Sequence, residues 1–245
     1  MIDRLDENRL YFVQSEIDNF SEESKKYSEN FFDIDLAYSV INLYFERLIA
    51  FSEYQIRLIE KQKFDYTKDE YIDIFYEDNQ WSKSKSHLEK MWRNETKNDL
   101  LIALMSDTLS GDLNKILIKR YKNRIRRIQQ QKEEDIFSIA INTLANQFDP
   151  HSSYLSPRSA EDFDMNMSLK LEGIGALLGA EDDYTKIVSL VPGGPAEKSG
   201  QILAEDKITR IRQLDSKKDE YVDVVGWRID EVVDLIRGES RFTPY

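Results

Sequence analysis

The apolar residues of this chain follow one period before Asp149-Pro150 and another after it, and that switch constrains the fold more than any other feature of the sequence. Over residues 35–61, Leu36, Val40, Leu43, Leu48, Tyr54 and Leu58 recur at helical spacing, with Asp33 and Asp35 as candidate caps. Residues 84–94, 98–109, 112–130 and 133–148 read as further helices, and Gly111 separates two of them. Only 9 Gly and 5 Pro occur in 245 residues, which favours long regular elements. The charged, aromatic stretch 64–81 is the part of this half without a readable period.

Pro150 disfavours helical backbone at Asp149, so the last of these helices is expected to end there. After a short polar helix over 158–165 the texture becomes strand-like: a strand over 171–178, a hairpin turn at Glu181-Asp182-Asp183-Tyr184 and a returning strand over 186–191. A Pro192-Gly193-Gly194-Pro195 loop follows, then a short helix stopped by Gly200, a strand over 207–211, and an amphipathic helix over 225–237 stopped by Gly238. The expected class is α+β, a multi-helix N-terminal region followed by a small β-rich domain with two helices.

The formal net charge of -12 argues against nonspecific nucleic-acid binding, which needs clustered Lys and Arg to replace counterions. The one basic run, Lys119 to Arg127, reads as a solvated helix face. The absence of Cys excludes disulfides, thiolate zinc sites and cysteine nucleophiles. No apolar run approaches the ~20 residues of a membrane span, and Met1-Ile2-Asp3-Arg4 does not begin a signal peptide.

The only histidines, His87 and His151, lie in different regions, and Glu181-Asp182-Asp183 lacks calcium-loop spacing, so no metal or other cofactor is expected. Gly173, Gly175 and Gly179 miss the dinucleotide fingerprint by one position and lead into a strand. Asp149, His151 and Ser152 are the residue types of a catalytic triad, but near-consecutive side chains do not converge, and a turn with local hydrogen bonds is expected instead. Trp81, Trp92 and Trp227 are expected in cores.

What remains is Gly173-Ile174-Gly175-Ala176 at the entrance to a strand. Two closely spaced glycines let the backbone turn tightly and present successive N–H groups outward, a nest that binds an anion without a charged side chain. A peptide's terminal carboxylate suits such a nest, and the strand beyond it offers an edge to an extended peptide. The helix over 225–237 would form the other wall, with Ile229, Val232, Val233 and Ile236 on one face, most of which must pack on the sheet.

Four ordered segments carry a resemblance: Phe148 to Pro157, Met167 to Ala176, Val191-Pro192-Gly193-Gly194-Pro195-Ala196 and Val224-Val225-Gly226-Trp227-Arg228. Together they resemble the carboxy-terminal processing, or tail-specific, serine proteases, and among these the long periplasmic form often called Prc. The resemblance is dense from about residue 148 to residue 238 and looser over the helical part. It implies a helical N-terminal domain over 1–147, a connecting segment over 148–162 and a PDZ domain over 163–245 whose final strand is missing.

It further implies that the C-terminal tails of protein substrates bind a groove formed by Leu171, Glu172, Gly173, Ile174, Gly175 and Ala176 with Val232 and Ile236. A lipoprotein adaptor docking on the helices and a periplasmic location are implied as well. The family hydrolyses peptide bonds with a Ser–Lys dyad. No catalytic residue is expected within these 245 residues, and the ending Glu239 to Tyr245 departs from the family's glycine-rich turn and last strand. The expectation is therefore a recognition portion inactive by itself, with a stand-alone tail-binding protein or a helical scaffold as the alternatives.

Overall fold

A computed structural model of the chain describes residues 1–27, 34–61, 64–72, 80–106, 111–168, 173–212 and 221–237. These fall into two compact units, Met1–Ser156 and Pro157–Tyr245.

The first unit is helical: α1 (Ile2–Leu5), α2 (Gln14–Tyr27), α3 (Ile34–Lys61), α4 (Lys85–Met105), α5 (Leu113–Gln129) and α6 (Glu133–Phe148). The periodic run recognised in the sequence becomes α3, and three apolar clusters are strung along it. Ala37 and Ile41 meet Ala140 of α6 at one end. Phe51 meets Leu88 and Trp92 of α4 together with Leu10 and Val13 in the middle. Ile59 meets Leu100 and Ala103 of α4 and Leu117 and Tyr121 of α5 at the other end. A helix of 28 residues is about 42 Å long at 1.5 Å per residue, enough to carry all three.

Non-helical backbone between α1 and α2 is held by the buried Asp6 carboxylate, which accepts the N–H groups of Leu10 (2.6 Å), Tyr11 (2.8 Å) and Phe12 (3.1 Å). Burial pushes its carboxyl pKa up against the pull of those amides. Asp112 caps α5, accepting from the Asn114 and Lys115 amides. Asp35 lies inside the first turn of α3 rather than capping it, and Asp33 is outside the described residues.

The helices expected over 84–94 and 98–109 are one element, α4, which runs unbroken to Met105; residues 107–110 lie outside the described residues. The polar interruption is accommodated within the helix. Thr96 donates its hydroxyl to the Trp92 carbonyl at 2.6 Å, and Lys97 pairs with Glu70.

The second unit comprises α7 (Pro157–Ser168), β1 (Ala176–Glu181), β2 (Tyr184–Leu190), α8 (Pro195–Ser199), β3 (Lys207–Ile208), β4 (Arg210–Ile211), β5 (Val222–Asp223) and α9 (Ile229–Arg237). The fold is α+β: helices first, then a small β-region in which β1, β2 and β3 form one antiparallel sheet in that order and β4 and β5 pair separately. α9 packs against β1. Arg158 of α7 reaches Asp230 (3.0 Å) and Asp234 of α9, and Arg237 of α9 reaches Asp162 of α7 (2.8 Å).

Three sequence expectations shift here. The strand expected over 171–178 begins only at Ala176, because Gly173 (φ 145) and Gly175 (φ 73) bend the chain before it. The strand expected over 207–211 divides at Thr209, whose carbonyl accepts the Val224 N–H at 3.0 Å. The helix expected from Val225 begins at Ile229, because Gly226 adopts φ 80 and its N–H donates to the Asp183 carbonyl at 2.6 Å. The ending beyond Gly238 lies outside the described residues.

Candidate functional site

Glu181 and Tyr184 close a two-residue hairpin whose first turn residue, Asp182, takes φ 54. Pairing then runs back along β1 to Ala176, with the one extra residue, Val188, on β2. Gly179 lies one position past this bulge, opposite Lys186, and a Cβ there would lie 2.8 Å from Val188 Cγ2. Because the bulge is on β2, alternation along β1 is unbroken.

Val191 donates its N–H to the Gly175 carbonyl at 2.9 Å, so Gly175 faces β2 and its neighbour faces away. Ala176, Leu178 and Ala180 therefore turn their main-chain groups away from β2, to the edge of β1 that no strand pairs with among the described residues, and α9 packs against β1.

The same logic fixes the loop before β1. Ala196, in the first turn of α8, donates its N–H to the Ile174 carbonyl at 2.8 Å. In a trans peptide the C=O and the following N–H point in opposite directions. With the Ile174 and Gly175 carbonyls drawn toward the 191–196 segment, the Gly175 and Ala176 N–H groups face the other way, toward the head of the open edge. Two adjacent outward amides are a ready anion site.

The loop is seated on a second glycine segment. A Cβ on Gly175 would lie 3.1 Å from both Gly194 Cα and Pro195 Cδ, so the backbones touch. Gly194 is in turn held by its N–H to the Val191 carbonyl (2.9 Å), and Gly193 donates to the Glu197 carboxylate (2.6 Å). The sequence reading gives Pro192 to Pro195 as a loop and assigns it no part in seating the entry to β1. The usable signal was a Gly-Gly-Pro between a strand and a helix, the composition that close backbone approach demands.

α9 supplies the facing wall. Val232 is fully buried, and Ile229, Val233 and Ile236 are half-buried. The Gly226–Asp183 hydrogen bond ties the start of α9 to the hairpin tip. The helix therefore runs antiparallel to β1, with Ile236 toward the Gly173–Ala176 end. Of the sequence-selected residues, Gly173, Ile174, Gly175 and Ala176 form the entry to β1, Val232 and Ile236 lie on α9, and Leu171 and Glu172 are outside the described residues.

At the hairpin end the Glu181 carboxylate bridges Lys186 (2.6 Å) and Lys207 (3.1 Å), which hold its pKa down at about 2. Lys186 also meets Glu205, and its own pKa is raised by the two carboxylates.

Asp149, His151 and Ser152 do form a turn. The Asp149 carboxylate accepts from the His151 amide and the Ser152 hydroxyl, each at 3.0 Å. Trp227, in contrast, is not in a core: it is 42% exposed, while Trp92 is buried. Among the described residues no helix is long and apolar enough to cross a membrane.

A helical domain followed by a hairpin whose open edge faces an amphipathic helix, headed by a glycine loop with outward amides, is the architecture of a helical region joined to a PDZ domain. Residues 1–158 match the family model described as the tail specific protease N-terminal domain. The chain belongs to the tail-specific proteases and carries their N-terminal domain and PDZ region.

It is 36% identical over 98% of its length to the tail-specific protease of Haemophilus influenzae, of which it covers 34%. It is 33% identical over 46% of its length to the carboxy-terminal processing protease CtpA of Bacillus subtilis, of which it covers 22%. The chain thus spans about a third or less of the length of these relatives. A crystal structure of the PDZ domain of the carboxy-terminal protease from Vibrio cholerae in complex with peptide is 54% identical, covering 28% of this chain and 66% of that one, with a TM-score of 0.26.

Proposed function

We propose that this chain is the recognition portion of a carboxy-terminal processing serine endopeptidase, and that its groove takes the nonpolar C-terminal tail of a protein substrate. The observation that carries the reading is the pair of inward carbonyls, Ile174 and Gly175, which turns the next two amides outward at the head of an open strand edge. The tail's carboxylate would accept from Gly175 and Ala176, with Leu171, Glu172, Gly173 and Ile174 completing the loop. The tail would extend antiparallel to β1, bonding the main chain of Ala176, Leu178 and Ala180. Its last side chain would lie between Ile174 and Ala176 on one side and Ile236 on the other, above the buried Val232.

Within this reading residues 163–245 act as the PDZ domain, 148–162 as a connection and 1–147 as a helical domain on which a lipoprotein adaptor docks in the periplasm. Peptide-bond hydrolysis needs a Ser nucleophile activated by a neutral Lys. We assign no residue of this chain to that step, only capture of the tail.

Fluorescence anisotropy with a labelled apolar-tailed peptide tests the reading, using the 245-residue chain and the peptide as free acid or amide. Hydrogen bonds to a charged group contribute about 1.5–3 kcal/mol, so amidation should weaken binding by about tenfold or more. Equal affinity for the two peptides contradicts tail capture.

A further inference from the structure

The turn before α9 carries two exposed apolar side chains that neither the fold nor the terminal carboxylate site uses. Val225 is 38% exposed and Trp227 is 42% exposed. Their backbone is nonetheless fixed. Val224 beside them is buried and donates its N–H to the Thr209 carbonyl at 3.0 Å. The Val225 N–H donates to the Asp223 carboxylate (2.9 Å), the Gly226 N–H to the Asp183 carbonyl (2.6 Å) and the Trp227 N–H to the Val224 carbonyl (3.2 Å). A large aromatic held half in water on a rigid turn costs solvation that contact with an apolar group would recover.

The register says what reaches this turn. α9 has 9 residues and is about 13 Å long at 1.5 Å per residue. An extended peptide advances about 3.3 Å per residue, so the helix flanks four to five residues of a tail laid along β1. With the last residue beside Ala176, the third pairs with Leu178 and the fifth with Ala180, next to the hairpin tip to which Gly226 is bonded. The last, third and fifth side chains share one face of the extended tail.

Charged groups of the hairpin and of α9 are engaged within the domain. Glu181 is bridged by Lys186 and Lys207, and Asp230 is paired with Arg158 (3.0 Å) and Arg228 (3.1 Å). The turn therefore offers apolar surface rather than an open charge.

We propose that Val225 and Trp227 form a further subsite at the upstream end of the groove, which selects tails with a large apolar side chain at the fifth residue from the end. The subsite rests on the tail-binding reading and extends it from the tip of the tail to its upstream part. Partial burial of a leucine against this turn corresponds to about fivefold in affinity.

The test uses the full chain and apolar-tailed octapeptides that differ only in Ala or Leu at the fifth residue from the end, each as free acid and as amide. Leu is expected to bind about fivefold tighter than Ala in the wild type. That ratio should fall toward one in Trp227→Ala and persist in Trp227→Phe, which keeps an aromatic face. Peptide-induced change in Trp227 fluorescence, absent in Trp227→Phe, should be larger with the Leu peptide. Equal binding of the Leu and Ala acids by the wild type, with the amides still weak, overturns the subsite and leaves tail capture standing. The full Leu/Ala ratio in a folded Trp227→Ala overturns it as well. Loss of the acid–amide difference overturns both.

Discussion

Gly175 and Gly194 touch backbone to backbone: a Cβ on Gly175 would lie 3.1 Å from Gly194 Cα, and a Cβ on Gly194 would lie 2.9 Å from the Val191 carbonyl oxygen. The contact seats the entry loop of β1 on the strand-to-helix connection whose N–H groups donate to its carbonyls, so the outward direction of two amides depends on two residues having no side chain.

Gly175→Ala should therefore damage both the loop and binding. The residue has φ 73, which costs an L-residue about 1–2 kcal/mol, and the new methyl meets backbone as well. Gly193→Ala separates the two effects, because Gly193 has φ 76 but open space around a Cβ. Amide hydrogen exchange at Val191 and Ala196 should rise markedly in Gly175→Ala and less in Gly193→Ala, with tail affinity falling in the same order. Equal effects would show that backbone conformation alone matters.

The hairpin should lose stability in acid through Glu181. Lys186 first, then Lys207, depress its pKa from the ordinary 4.5 to about 2. A depressed carboxyl stabilises the fold fully above its unfolded value and loses that contribution as pH falls toward the folded value. Exchange of the β1–β2 amides should thus quicken between about pH 4.5 and about pH 2, and Glu181→Gln should remove that part of the pH dependence. An unchanged acid profile in Glu181→Gln would contradict the pairing.

In the helical unit, Tyr121 is buried and its hydroxyl donates to Asp99 Oδ2 at 2.7 Å, an oxygen that also accepts from Gln55 Nε2 at 3.1 Å. Burial first, then the Asp99 carboxylate, push the Tyr121 phenol pKa well up. Tyr121→Phe should cost about 1–2 kcal/mol, and Leu117→Ala in the same cluster about 2–5 kcal/mol. Thermal melts followed at helical ellipticity would show both, with the larger shift for Leu117→Ala. The reverse order would mean that the polar network outweighs the apolar seam.

Arg158 joins α7 to α9 through Asp230 and Asp234, and all three side chains are partly exposed. After solvent screening, Arg158→Ala should cost about 1 kcal/mol or less, seen as faster exchange in α7 with little change in the β1–β2 amides. No change in α7 exchange would show the bridge to be passive.

The helical half is legible from periodicity alone, as along α3 and α5; its caps are not, since Asp35 lies inside the first turn of α3 and the cap of α5 is Asp112. It was misread at residues 95–97, because a hydroxyl bonded to its own helix and a lysine paired to Glu70 look in sequence like a break. In the β-region the glycine loop was legible from Gly173 and Gly175. The late start of α9 was not, since the Gly226–Asp183 bond joins residues far apart in sequence. Trp227 reads as a core residue because aromatic residues usually belong there, and nothing local in the sequence marks it as exposed.

The amides of Gly175 and Ala176 can be observed directly by ¹H–¹⁵N correlation spectra of the chain during titration with an apolar-tailed peptide. Capture of a terminal carboxylate predicts large downfield proton shifts of these two signals with the free acid and far smaller ones with the amide. If both signals stay in place while the peptide binds, or move equally with acid and amide, the carboxylate is not held there.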